Sequence, residues 1–591
     1  MIDKFYRENF KILGGPGCGK TTKLLEILSN YFKDLGLQHD QTLMIGFAKA
    51  TVENLRDRAI EKKLLTEKQA ESIKTIHKFC LDSIGKHNIL NSSAKTEFKK
   101  KFSSDPEKWF MLNDPKYDKK DDEPAMWSEQ EDKKLAIYYD IVNKAHHFYG
   151  SEYCSFYRYG KFKDELDKVK TYFKESNIDS YKNVHTAQLI YFYNHLSKFK
   201  NDNGFVDFDD MLLKALKPTI EFPSYKLVLV DEVQDLSRLE WQVISKIRRK
   251  TEEIYLVGDD DQAIYGWKGS DVSIFQKWRC KKHNITKLEK TYRLPGKIYD
   301  LALKIRDEIS NRMGNEFKCE KRDNKDEGSI NDISDMDELE DIIEIDSDVI
   351  FCARARVLCR PYADFLKRKG FIFLEKHNDN KGKGFQSSFP EKIQKIINDW
   401  KILKEGGYIA GINYFEMVSF IKPEFIKNKK KTALKNKDTT MQELLSDELF
   451  TYEELNEKFY LNAGKEKEWY EIFYFDTTRI VSSSKPKALF NDREDFNDYL
   501  YRCWKQNKSL KTKIILSTIH GVKGREADIV VVNVDWGFSL NHYKKGNKKV
   551  EDEEVRVCYV AVTRTKNDLF LLDIPHNRSK PFPLLKHHDK L

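Results

Sequence analysis

Residues 14–21 read GGPGCGKT and are followed by a second threonine. Glycines at this spacing let backbone N–H groups converge on phosphate oxygens at a helix N-terminus. The candidate phosphate site is therefore Gly14, Gly15, Pro16, Gly17, Cys18, Gly19, Lys20, Thr21 and Thr22. Lys20 is placed to reach the β/γ-phosphates, and the Thr21 hydroxyl is placed to ligate Mg²⁺. Taken alone, such a loop signifies only nucleotide phosphates. A second element completes it at LVLVDEVQD (227–235), where an apolar strand delivers Asp231 and Glu232 at its C-terminal edge. Asp231 is the candidate Mg²⁺ ligand, and Glu232 the candidate base that orients and deprotonates an attacking water.

A different chemistry is written in IYGWKG (264–269), where Tyr265 and Trp267 flank a glycine and Lys268 follows. Aromatic faces beside a cation suit stacked bases and their phosphates, and stacking is indifferent to base sequence. Further nucleic-acid candidates follow apolar strands: Phe47 in IGFAKA, Thr75 and His77 in TIHKF, Thr518 and His520 in STIHG. Neither histidine has a Cys, Asp or His at metal-ligand spacing, so phosphate or base contact is the better reading. The basic run IKNKKKTALKNK (426–437) fits duplex backbone or a plain solvated face.

These residues need strands to carry them. Short apolar runs ending in turn chemistry recur near residues 10, 45, 228 and 256, each followed by a helical pattern, as buried parallel strands of a doubly wound α/β domain would. A second set near 350, 373, 516, 531 and 571 predicts a second α/β domain. Two stretches, roughly 86–200 and 376–507, are rich in Lys, Tyr, Phe and Trp with helical periodicity and read as insertions. The run DISDMDELEDIIEIDSD (332–348) reads as a solvated acidic segment before a strand.

With 591 residues, the chain exceeds what one hydrophobic core supports. An excess of 104 Lys+Arg over 95 Asp+Glu gives a net charge of +9, compatible with a polyanionic partner. Nine scattered cysteines without a C-x-x-C pair argue against a disulfide framework or a zinc site and for a reducing compartment. No apolar run approaches the roughly 20 residues of a membrane span, and the start lacks a signal-peptide core. A soluble intracellular protein of cytoplasm or nucleoid, without a membrane partner, is expected.

In order after the phosphate loop come DEVQD, VGDDDQAIYGWKGSD (257–271), TYRL (291–294), LSTIHGVKGREADIV (516–530) and EEVRVCYVAVTRTK (553–566). This ordered set resembles the superfamily 1A helicases typified by UvrD, Rep and PcrA. The resemblance implies two RecA-like parallel-sheet motor domains, each with a mainly helical inserted subdomain. On it, 1–85 and 201–277 form motor domain 1A, 86–200 insertion 1B, 278–375 and 508–591 motor domain 2A, and 376–507 insertion 2B. It further implies that Gln262 senses the γ-phosphate, that Arg293 and Arg564 act as arginine fingers from the second motor domain, that Tyr292 stacks on adenine, and that Glu526 contacts the ribose. ATP and Mg²⁺ are the implied cofactors, with the nucleotide between the two motor domains.

The function so implied is an ATP-dependent DNA helicase or translocase moving 3′ to 5′ on single-stranded DNA and acting at single-strand/duplex junctions. A translocase with weak unwinding, an RNA-directed motor and a nucleic-acid scaffold with a decayed ATPase are the competing readings. Three departures from the family pattern stand out. No Gln precedes Gly14 to read adenine, AKATVENLRDR replaces a TNKAA-like segment, and Lys268 stands where Arg is usual. The missing Gln implies loose selection among nucleoside triphosphates. The chain ends soon after VTRTK, so neither a UvrD-type tail nor a RecB-like nuclease domain is expected.

Overall fold

The computed structural model describes the chain except residues 1–6, 47–48, 104–128, 150–185, 324–325, 345, 377–384, 419, 423–424, 426–447, 459–463, 465, 476–492, 507–510, 538–547, 575–580 and 587–591. The described residues pack as two units. Unit 1 comprises those up to Gly328 together with those between Phe538 and Thr563; unit 2 comprises those of Ser329–Gly537 and Arg564–His588.

Unit 1 is built on a six-stranded sheet of Glu8–Gly14 (β1), Thr42–Gly46 (β2), Ile73–Thr75 (β3), Tyr225–Val230 (β4), Thr251–Gly258 (β5) and Ile285–Leu288 (β6), in the order β3-β2-β4-β5-β1-β6. Every pairing is parallel. The reason is visible in the strands themselves. In β4, YKLVLV, Leu227 to Val230 are all fully buried, as a strand covered on both faces requires. The sheet order also explains the site, because β1 lies between β5 and β6 with β4 one strand away. The ends of all four strands therefore come together at one edge.

Residues 278–328, which the sequence reading assigns to the second motor domain, pack here with unit 1. The physical reason is β6, whose Lys287 and Leu288 run in register with Leu13 and Gly14 of β1. Unit 1 also holds helices Ser92–Ser103 (α2), Glu129–Tyr149 (α3) and Thr186–Asp202 (α4). Their aromatic faces form a separate core in which Phe98 touches Phe102, Phe192 and Phe199.

Unit 2 has a seven-stranded sheet of Ser329–Ile333 (β7), Val349–Ala353 (β8), Leu374–Lys376 (β9), Phe385–Ser387 (β10), Ile515–Thr518 (β11), Ala527–Asn533 (β12) and Thr565–Leu572 (β13), in the order β7-β13-β12-β8-β11-β9-β10. Only the β9–β10 pair is antiparallel. The α/β class is thus present, with one parallel sheet and one that is parallel apart from its edge pair. The helix Glu391–Lys404 buries Ile393, Ile396, Ile397, Trp400 and Leu403, spaced to line one helical face. Residues 332–348 differ from the solvated acidic segment that sequence suggests. The run begins in β7 and buries Met336, Leu339 and Ile343, whose spacing puts three apolar side chains on one side of an otherwise acidic stretch. The basic run 426–437 lies outside the described residues. Among the described helices, none is long and apolar enough to cross a membrane.

Candidate active site

β1 ends at Gly14, and helix Lys20–Asp34 (α1) begins six residues later. Between them the chain turns through Gly17 (φ 69°) and Gly19 (φ 78°), conformations that favour glycine. Gly17 is constrained twice, because a Cβ there would stand 2.4 Å from Arg293 Cβ. Lys20 Nζ folds back and donates to the carbonyls of Gly14 (2.7 Å) and Gly15 (3.1 Å), while Pro16 O accepts from Thr291 Oγ1 (2.6 Å). Cys18 is buried within the turn, and burial pushes its thiol up to about 12, so it is inert as a nucleophile. Thr21 and Thr22 occupy the first turn of α1.

Thr21 Oγ1 donates to Asp231 Oδ2 at 3.2 Å, bringing together the two groups that sequence names as Mg²⁺ ligands. Asp231 is 3% exposed. Burial, then the adjacent Glu232 charge, raise its pKa to about 7 against the pull of Lys20. A carboxylate so destabilised at a strand end, beside a hydroxyl and an ammonium, has the donor chemistry of a divalent-cation site. Glu232 has φ 51°, a left-handed conformation that costs about 1–3 kcal/mol for a residue with a Cβ. Its carboxylate accepts a hydrogen bond from Gln234 Nε2. Gln234 Oε1 in turn accepts from the backbone of Asp259 (3.1 Å).

Asp259, Asp260 and Asp261 are all buried at the end of β5. Burial raises the Asp259 pKa against the attraction of Lys20, and Gln262 Nε2 donates to its carboxylate at 2.6 Å. Asp261 is pushed up to about 7 by burial and by Asp259, although Arg312 donates to it. Tyr292 is 61% exposed, with its backbone N–H donating to Gly17 O (3.1 Å). Arg293 Nη1 donates to Thr563 O at 3.2 Å. Lys20, Thr21, Asp231, Glu232, Gln262, Tyr292 and Arg293 therefore share one end of the unit 1 sheet.

The stacking candidates occupy the next loop of the same chain segment. Lys268 Nζ lies 4.7 Å from the Tyr265 ring centre and 5.1 Å from that of Trp267, a cation held by two aromatic faces. Trp267 is 36% exposed, and Lys144 of α3 sits over the same ring at 5.6 Å. The Thr75 hydroxyl caps the helix Ile76–Ile84 by accepting from Lys78 N. His77 lies edge-on to Phe208, with its pKa lowered by burial against the pull of Glu240 and Asp209. Phe47 lies outside the described residues.

Four expected site residues belong to unit 2. Thr518 caps the turn Ile519–Val522 by accepting from Gly521 N (3.2 Å), with His520 inside that turn. Glu526 is exposed just before β12. Arg564 is 1% exposed, and its Nη1 donates to Arg525 O (3.3 Å).

Sequence reasoning missed the segment Ser310–Phe317, SNRMGNEF, which carries no motif. Met313 N donates to Asp260 Oδ2 (2.6 Å), and Arg312 pairs with Asp261. With its amide oxygen turned to the loop, Asn315 accepts from Gly15 N (3.1 Å) and Gly14 N (3.2 Å). A Cβ on Gly15 would stand 2.4 Å from the Phe317 ring. Only tertiary proximity reveals this support. The weak signal available was two residues, Asn315 and Arg312, both capable of several hydrogen bonds in an otherwise plain stretch.

Residues 2–283 match the family model of the UvrD/REP helicase N-terminal domain. A probable DNA helicase II homolog of Mycoplasma pneumoniae is 22% identical over 647 aligned positions, covering 95% of this chain and 81% of that protein. The putative ATP-dependent DNA helicase YjcD of Bacillus subtilis is 22% identical over 96% of this chain and 77% of its own length. DNA helicase II of Haemophilus influenzae is 29% identical over 144 residues, which span 23% of this chain and 20% of that protein. Residues 2–283 thus match the UvrD/REP helicase N-terminal domain, and nearly the whole chain is similar to proteins named as DNA helicase II homologs and YjcD.

Proposed function

We propose that the chain is an ATP-hydrolysing DNA helicase that moves 3′ to 5′ along single-stranded DNA and acts at single-strand/duplex junctions. The observation that supports this most is the convergence, at one end of the unit 1 sheet, of Lys20, the Thr21–Asp231 pair, the strained Glu232 and Gln262, with Trp267 five residues beyond Gln262. ATP and Mg²⁺ fit these groups: the loop presents backbone N–H groups and an ammonium, and Thr21 and Asp231 offer two oxygens.

Bound Mg·ATP supplies the phosphoanhydride whose cleavage drives movement. In this reading Lys20 neutralises phosphate charge, Thr21 and Asp231 hold the metal, and Glu232 takes the proton of the attacking water. Gln262 reports on the γ-phosphate, Tyr292 stacks on the base, Glu526 contacts the ribose, and Arg293 and Arg564 stabilise charge developing on the transferred phosphoryl group. Tyr265, Trp267 and Lys268 form the stacking platform for the strand, with Phe47, Thr75, His77, Thr518 and His520 as further contacts. The insertions 86–200 and 376–507 are inserted subdomains of the two motor units.

Strand displacement on duplexes with a 3′ or a 5′ single-stranded tail, with ATP and Mg²⁺, tests this. Unwinding from the 3′ tail with single-strand-stimulated hydrolysis is expected. Unwinding from the 5′ tail alone overturns the polarity. Stimulation by RNA but not DNA assigns the motor to the other nucleic acid, and stimulation without displacement leaves a translocase.

A further inference from the structure

Helix Lys548–Val562 belongs to unit 1 and carries EDEEVR at 551–556. Three of these side chains are committed to the motor loops. The Asp552 carboxylate accepts from Ser310 N (3.0 Å) and Asn311 N (3.2 Å). Arg556 is 6% exposed and donates from Nε to the carbonyl of Asp260 (2.9 Å) and from Nη2 to that of Asn311 (2.7 Å). The Glu553 carboxylate accepts from the backbone N–H of Trp267 (3.3 Å). It comes that close because residue 266 is glycine: a Cβ there would stand 2.6 Å from Glu553 Oε2.

Glu553 and Arg556 lie three residues apart, hence on neighbouring positions of one helical face. One grips the backbone under Trp267. The other grips the carbonyl of Asp260, two residues before Gln262. We propose that Glu553 is a positioning residue that makes ATP hydrolysis respond to an occupied strand, by fixing the Trp267 loop to the helix that also fixes the Asp260–Gln262 turn. A base stacking on Trp267 bears on the peptide that Glu553 holds. A helix transmits that load along its length, because its backbone hydrogen bonds make it stiff. Arg556 then delivers it to the turn that presents Gln262. A carboxylate suits the task, since a charge-assisted bond to a backbone N–H is stronger than a neutral one.

The inference rests on the stacking role of Trp267 and the phosphate-sensing role of Gln262 proposed above. The test is steady-state ATP hydrolysis by the full chain, titrated with oligo-dT, for the wild type, Glu553→Ala, Glu553→Gln, Gly266→Ala and the double variant Glu553→Ala/Gly266→Ala. In Glu553→Ala the ratio of strand-saturated to strand-free rate is expected to fall roughly tenfold, the scale of one lost bond to a charged group, while the KM for ATP moves much less. Glu553→Gln, whose amide oxygen still accepts, restores most of the ratio and shows that the loss is not unfolding. Gly266→Ala displaces the carboxylate and lowers the ratio in the wild type, but adds little in the Glu553→Ala background, because both changes break one contact. A wild-type ratio in Glu553→Ala, or additive effects in the double variant, overturns the inference and leaves the proposed function standing. A wild type whose hydrolysis ignores oligo-dT overturns both together.

Discussion

At the end of β4, Asp231 is 3% exposed, and burial with the neighbouring Glu232 charge raises its pKa to about 7. Where α3 meets the helix Phe208–Ala215, Asp209 is 5% exposed, yet its pKa lies well below the usual carboxylate range. Burial opposes ionisation at both sites. At Asp209 it is outweighed by His147 and by hydrogen bonds from His146 Nδ1 (2.8 Å) and His147 Nε2 (3.1 Å). His147 is held in turn by Ser237 Oγ (2.8 Å). One unit therefore buries a carboxylate whose charge its surroundings resist and another whose charge they support. Asp209 ties α3 to the helix Phe208–Ala215 through His146 and His147, whereas the unfavourable charge of Asp231 suits the cation that the proposed function puts beside it.

The comparison is sharpened most by removing charge chemistry next to Asp231. Glu232→Gln keeps the shape and the partner Gln234 but cannot accept a proton. The expected loss in kcat for ATP is about 10²–10³-fold, in line with the general-base contribution, while a fluorescent ATP analogue still binds. Hydrolysis at the wild-type rate breaks the assignment of Glu232.

Asp209→Asn addresses the opposite pole. It is expected to destabilise unit 1 by about 2–3 kcal/mol, read by chemical denaturation. The pH dependence follows from the two shifts. The Asp209 pKa is depressed below its unfolded value of 3.8, so its contribution is present above that pH and lost as pH falls through the folded value. Burial opposes the charge on His147, but the attraction of Asp209 prevails and raises its pKa above 6.5. That contribution is present below 6.5 and fades as pH rises through the folded value. The penalty of Asp209→Asn is therefore largest between pH 3.8 and 6.5 and smaller at pH 8. An equal penalty throughout would remove His147 from the account.

The smallest effect has the reverse sign. Because the folded pKa of Asp231 is raised above 3.8, its ionised form destabilises the metal-free fold, and protonation relieves this as pH falls from about 7 towards 3.8. Asp231→Asn is expected to stabilise the metal-free protein by about 1–2 kcal/mol at pH 8 and to raise its Tm, while sharply weakening Mg²⁺ dependence. In the unmutated protein, half-saturation by Mg²⁺ shifts to higher concentration at pH 6 than at pH 8, since the ion competes with a proton. Destabilisation by Asp231→Asn would erase the contrast with Asp209.

Much of this was legible in the chain. The buried strands announced themselves because parallel strands covered on both faces must be apolar at nearly every position, as in YKLVLV. GGPGCGKT and DEVQD stood out because the phosphate cradling and cation binding proposed for them restrict residue type and spacing. The His146–His147–Asp209 connection was not legible, since nothing local marks residues 62 or more positions apart as partners. The burial of Met336, Leu339 and Ile343 was hidden by the acidic residues around them, which dominate any composition-based reading.

By itself the sequence determined the two-sheet α/β class and the order of motifs, and it named the side chains proposed to handle nucleotide, because each depends on local periodicity or on chemistry that few residue types perform. Only the tertiary structure decided that β6 joins the first sheet and returns Thr291 to Arg293 to the phosphate loop, that Ser310–Phe317 braces that loop, and that Glu553 closes on the glycine before Trp267. These are contacts between segments distant in the chain. They exist where backbones approach closely enough for one missing Cβ or one amide to matter, which no spacing within a single stretch of sequence records.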